Sequence, residues 1–108
     1  MDTVIAINQD QMGHGDAELG RKILAIFLRK LPSMDGVTEI VFWNTGVKLV
    51  TADSPVLAEL QALEKAGIDL LPCGTCLEHF GLEVAVGKAS DMGSIVRELG
   101  RAGKVITL

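Results

Sequence analysis

A chain of 108 residues, 48% hydrophobic and 22% charged, can build one packed core but not two domains of ordinary size, so residues 1–108 are read as a single domain. Ten basic against fourteen acidic side chains give a formal charge of -4 and a pI near 5.0, without the cationic footprint that a phosphate backbone requires; nucleic acid is not an expected partner. A mean hydropathy of +0.35 argues against disorder and suggests apolar surface buried in a homo-oligomer.

Val4 to Asn8 is an apolar run of strand length, with no basic segment before it and too few residues for a signal peptide or membrane span; a cytoplasmic protein without membrane contact is expected. Gln9 to Gly15 is a polar, glycine-bearing loop. Asp16 is placed to cap a helix carrying Leu19, Ile23, Ile26 and Phe27 at helical spacing, with Arg29 and Lys30 complementing the dipole ahead of Pro32. Glu39 to Trp43 reads as a strand, and Asn44-Thr45-Gly46 as a tight turn. Val47 to Thr51 fits either a short strand or a helical turn.

Ser54-Pro55 opens a helix with Leu57, Leu60 and Leu63 on one stripe, ended by Gly67. Ile68 to Leu71 is a strand closed by Pro72, and Thr75-Cys76-Leu77-Glu78 has capping-box spacing, which predicts a helix from Cys76. Val84 to Ala89 is a weaker strand, Ser90 or Asp91 caps a helix through Ile95, Val96 and Leu99, and Lys104 to Thr107 is a final strand. This alternation implies an α/β fold, a three-layer α/β/α sandwich around a mainly parallel sheet of about five strands. Ligands of such sheets bind beyond the carboxyl ends of the strands, where Asn8–Gly15, Asn44–Gly46 and Cys73–Cys76 should meet.

Cys73-Gly74-Thr75-Cys76 at a strand-to-helix junction is the candidate centre. A helix start favours thiolates, so one reading makes Cys73 a sulfur-accepting nucleophile and Cys76 its resolving partner; the other makes both small packing residues. Thioredoxin-like redox chemistry is a rival, although Pro32, Pro55 and Pro72 all precede the motif and leave no counterpart to that family's later cis-proline. His79 and His14 nominally complete a Cys2His2 set, but the spacing matches no zinc pattern, and neither a metal nor a cofactor is expected. His14 is a candidate for stabilising a thiolate or moving a proton, against the alternative of a solvated loop histidine. Gly13-His14-Gly15-Asp16 is only a weak anion cradle, and Phe42 and Trp43 either line a pocket or belong to the core.

Four segments carry a family resemblance: residues 12–20 (Met12-Gly13-His14-Gly15-Asp16 onward), Phe42-Trp43-Asn44-Thr45-Gly46 with Val47-Lys48-Leu49, Cys73-Gly74-Thr75-Cys76-Leu77, and Lys104-Val105-Ile106-Thr107-Leu108. In this order, over essentially the whole chain, they resemble the DsrE/DsrF-like family, above all the C-terminal DsrE-like domain of YedF-type selenium-metabolism proteins. The resemblance implies a flavodoxin-like fold, homo-oligomeric assembly and a role in sulfur relay, with Cys73 at the position of the family's persulfide-bearing cysteine. It assigns no settled role to Cys76. A TusA-like domain, which precedes this one in YedF-type proteins, is not seen, so a separate protein is expected to donate or accept sulfur, and a relay component is expected rather than a self-sufficient sulfurtransferase. Asn44, Thr45, Gly74 and Thr75 are the expected anion-stabilising set. A non-catalytic oligomeric module holding a small ligand or partner in the same cleft remains the alternative.

Overall fold

In a computed structural model, which describes residues 2–108, the chain forms four parallel strands in the order β3-β2-β1-β4. They are β1 (Thr3–Ile7), β2 (Val37–Phe42), β3 (Asp69–Pro72) and β4 (Lys104–Thr107), with helices α1 (Ala17–Lys30), α2 (Leu57–Lys65), α3 (Gly74–Phe80) and α4 (Met92–Arg101) between them. The chain steps outward from β1 to β3 and returns past β1 to place β4. Right-handed crossovers therefore put α1 and α2 on one face and α4 on the other.

The two cores show this division. Ile5, Ile7, Ile40, Phe42 and Leu70 alternate onto the first face and pack against Leu24 and Leu28 of α1 and Leu60 and Leu63 of α2. Val4, Ala6 and Val41 point the other way and meet Ile95 of α4 together with Cys73. Each such aliphatic side chain contributes about 1.5–3 kcal/mol by leaving water. The second layer is thin, and Glu39, opposite Val4 in the β1–β2 register, lies within it 8% exposed. No helix among the described residues is long and apolar enough to cross a membrane.

The Asp16 and Asp91 capping signals acted as read, but the apolar stripe expected for α1 did not: Leu24 and Leu28 are buried, whereas Leu19, Ile23 and Ile26 are exposed. The Asp16 side chain accepts from the Leu19 N–H at 2.8 Å to cap α1, and Asp91 caps α4 through the Ser94 N–H in the same way. Val47 to Thr51 resolves into a 3-10 helix spanning Asn44–Val50. Ser54 Oγ accepts from the Val56 N–H, but the α-helix begins only at Leu57.

Two expectations are corrected. Val84 to Ala89 is not a fifth strand: the Ala85 and Val86 amides turn to the Val50 carbonyl, and Gly87 at φ 80° breaks the extended path. Strand-like bonds begin just beyond it, Lys88 N–H to Leu70 O, Ser90 N–H to Pro72 O and Gly74 N–H to Ser90 O, so this segment covers the β3 edge without becoming a named strand. The helix after β3 starts at Gly74 rather than Cys76, with Cys73 as an N-cap whose side chain makes no capping bond. The Thr75–Glu78 spacing is thus an accident of sequence inside the helix.

Candidate functional site

The site forms where β1, β2 and β3 end. Gly46 sits so close to the end of β1 that a Cβ there would collide with the Ile7 carbonyl oxygen, so a side chain would prise the β2 loop from the sheet. The β1 loop is tied to the same turn by the Asp10 N–H, which donates to Thr45 Oγ1 at 3.2 Å. Asn44 stands between them at φ 54°, the one described non-glycine residue in the left-handed region. Asparagine tolerates that conformation because its short amide bonds locally, and here Oδ1 accepts from the Thr45 N–H at 2.8 Å. The result aims the Asn44 N–H at Cys76 Sγ, 3.1 Å away.

The two cysteines occupy different environments. Cys73 is 1% exposed and belongs to the core under α4, whereas Cys76, three residues on and at the third helical position, is half-buried, packed against both cores and open to a surface cavity. Cys76 lines an open cavity of about 260 Å³ with Asn44, Thr75, His79 and Phe80. Burial pushes the Cys76 thiol above its ordinary 9.0; the Asn44 amide opposes the rise, and contact with the Cys73 thiol adds to it. This reverses the sequence expectation of a thiol activated by a helix start. The resting state at neutral pH is therefore a protonated Cys76 with one amide already in place for its anion.

The expected anion-binding set divides into two groups. Asn44 and Thr75 line the cavity. Thr45 and Gly74 act behind it: the Thr45 hydroxyl holds the β1 loop, and the Gly74 amide is committed to the Ser90 carbonyl at 2.9 Å. A Cβ on Gly74 would lie 2.8 Å from that carbonyl oxygen, so the glycine permits the close approach that fixes the start of α3. His14 is exposed in the β1 loop and lines no cavity with the thiols; that loop closes on itself through the Gln11 side-chain amide, which donates to Gly13 O at 3.1 Å. Phe42 is core and Trp43 is half-buried against the second core, so neither lines the thiol cavity.

Sequence reasoning missed Phe80. The available signal was helical spacing, since His79 and Phe80 follow Cys76 by three and four residues and so share its face. The His79 and Phe80 rings meet edge-on at 5.0 Å, and Lys48 Nζ lies 4.9 Å from the Phe80 centroid. Among the described residues no three His, Cys, Asp or Glu side chains cluster in a way that could hold a metal ion.

The fold is shared with known proteins. No curated protein matches the chain. Three solved structures share its fold over 99% of its length: MTH1491 from Methanobacterium thermoautotrophicum, a protein of unknown function (TM-score 0.74, 23% identity, 98% of that chain); the ychN protein from E. coli (0.73, 16%, 98%); and BT1422 from Bacteroides thetaiotaomicron, a conserved protein of unknown function (0.67, 22%, 95%). The family model for DsrE/DsrF-like proteins matches residues 1–108. With its four-stranded parallel sheet and its helices on both faces, the chain belongs to the DsrE/DsrF-like family.

Proposed function

We propose that this protein is a sulfur-relay component that carries sulfur as a persulfide on Cys76, with Cys73 as the resolving thiol. The observation that carries the reading is a pair of thiols at the end of β3, one in an open cavity with an amide on its sulfur and the other buried in contact with it. The roles are exchanged relative to the sequence expectation, because a donor can approach Cys76 and not Cys73. The Cys76 thiolate attacks the outer sulfur of a donor persulfide, the donor S–S bond breaks, and the donor thiolate leaves and takes up the proton. An acceptor thiolate then removes the outer sulfur and regenerates Cys76. Alternatively, Cys73 attacks Cys76 Sγ, expels hydrosulfide and leaves a disulfide that an external thiol must reduce.

The donor and acceptor are other molecules, and the chain works as an oligomer. Leu19, Ile23 and Ile26, spaced along α1, are 55%, 37% and 41% exposed, an apolar stripe that supports burial against another copy. The contact between the two thiols also favours a second reading, plain thiol–disulfide exchange without sulfur transfer. Intact mass spectrometry after incubation with a persulfide donor separates the two. Under the relay reading wild type and Cys73→Ser gain one sulfur atom and Cys76→Ser does not; sulfur gain in none of them, with a disulfide in wild type, supports exchange.

A further inference from the structure

Beside the thiol cavity lies a second cleft of about 290 Å³, bordered by the β1 loop, the first turns of α1 and the link between the 3-10 helix and α2. Asp10, Arg21, Lys48 and Asp53 line it, together with the apolar Leu49 and Leu82. None of the four charged groups has an ion-pair partner among the described residues; the pairs present are Arg29–Glu59, Arg101–Glu39 and Arg101–Glu98. Of the nearby hydroxyls, Thr51 donates to the Lys48 carbonyl and Ser54 accepts from the Val56 amide, which leaves the Ser54 O–H free to donate. The four charges are the dominant polar feature of the cleft. Two cations and two carboxylates around one small space give no net preference for a simple anion or a simple cation, and they complement a ligand carrying both ammonium and carboxylate groups.

Two contacts join the cleft to the thiol. Lys48, on its wall, sits 4.9 Å from the Phe80 ring that lines the Cys76 cavity. Asp10 donates its N–H to Thr45 beside Asn44, whose own amide is on Cys76 Sγ. We propose that the cleft binds a low-molecular-weight zwitterionic thiol, a free amino-acid or short-peptide thiol, and that this is the small molecule exchanging sulfur with Cys76; the exchange step rests on the persulfide reading above. Loading is the displacement R–S–SH plus Cys76–SH giving R–SH plus Cys76–S–SH, in which one S–S bond breaks, another forms, and the proton of Cys76 passes to the departing thiolate. No oxidant or reductant is consumed.

Binding is tested apart from transfer by titrating reduced glutathione into the Cys76→Ser protein and following its amide resonances. Saturable shifts at residues 10, 21 and 48–54 are expected, with affinity falling roughly tenfold in each of Arg21→Gln and Lys48→Met, as befits loss of a charge-assisted contact. Both side chains are exposed, and unchanged resonances in the strands confirm that the variants are folded. No saturable shift, or binding indifferent to both substitutions, would overturn the site even if wild type still takes sulfur from other donors. Binding in the cleft without sulfur transfer from glutathione persulfide to the wild type would overturn the exchange step while leaving the cleft occupied; the relay reading itself falls only if Cys76 takes no sulfur from a protein persulfide either.

Discussion

Replacing Glu39 by glutamine should make the protein's stability less dependent on pH, in a direction fixed by the second core. Burial against α4, then a hydrogen bond and charge repulsion from Glu98, raise the Glu39 carboxyl from its ordinary 4.5 to about 7, while Arg101, 3.7 Å from Oε1, pulls it back and Asp69 adds a smaller upward push. Glu98 moves the opposite way, lowered first by the same contact with Glu39 and then by Arg101, so the two carboxyls share one proton near neutrality. Glu39 Oε2 has no hydrogen-bond partner, which costs most when the group is ionised. A carboxyl raised on folding contributes stability that is fully present below the unfolded value of 4.5 and is lost as pH climbs through about 7.

The full displacement is worth about 3 kcal/mol at most, and division of the proton with Glu98 reduces the net effect to about 1–2 kcal/mol. Urea unfolding of wild type and Glu39→Gln at pH 4 and pH 8 measures it. At pH 4, below the unfolded value of 4.5, glutamine mimics the protonated acid and the two proteins should agree closely; at pH 8 the variant should be the more stable by that 1–2 kcal/mol. A stability difference that is the same at both pH values would refute the shared proton.

Three further outcomes follow from the site. Iodoacetamide should modify Cys76 and spare Cys73 in the folded protein, slowly at neutral pH and faster as pH passes the raised value of the Cys76 thiol; mass spectrometry of the peptides reads both, and rapid labelling at pH 7 would contradict the burial argument. Gly46→Ala should destabilise by about 1–3 kcal/mol in denaturant unfolding, because its methyl meets the Ile7 carbonyl, whereas the Gly15→Ala control, with open space around it, should change little. Ile23→Glu on the exposed stripe of α1 should lower the assembled mass in sedimentation without unfolding the chain; an unchanged mass would remove α1 from the interface.

Much of the fold was legible because its signals are local. The Val4–Ile7 run, the Asp16 cap and the Gly67 stop each act within a few residues, and together they imposed the alternation that puts the loops at one sheet edge, although α1 buries Leu24 and Leu28 rather than the Leu19, Ile23 and Ile26 of the spacing read for it. What escaped was decided by tertiary contacts. Val84–Ala89 has strand composition, yet the Val50 carbonyl takes two of its amides and Gly87 turns the backbone. The Cys-x-x-Cys spacing pointed to the candidate centre but could not rank its thiols, because their exposure depends on α4 covering Cys73 and on how α3 packs against the sheet. Helix position alone suggested an activated thiol, whereas burial outweighs the amide at Cys76. Phe80 and Lys48 gained their places only once α3 packed beside the 3-10 helix.

The central claim is that Cys76 carries the sulfur. Its most direct test is to load the reduced protein with glutathione persulfide, alkylate at once, and locate the added sulfur by peptide mass spectrometry. The expected result is an alkylated persulfide on Cys76, longer-lived in Cys73→Ser than in wild type because the resolving attack is lost. Sulfur found on Cys73, or a Cys76→Ser protein that loads as well as wild type, would contradict the assignment.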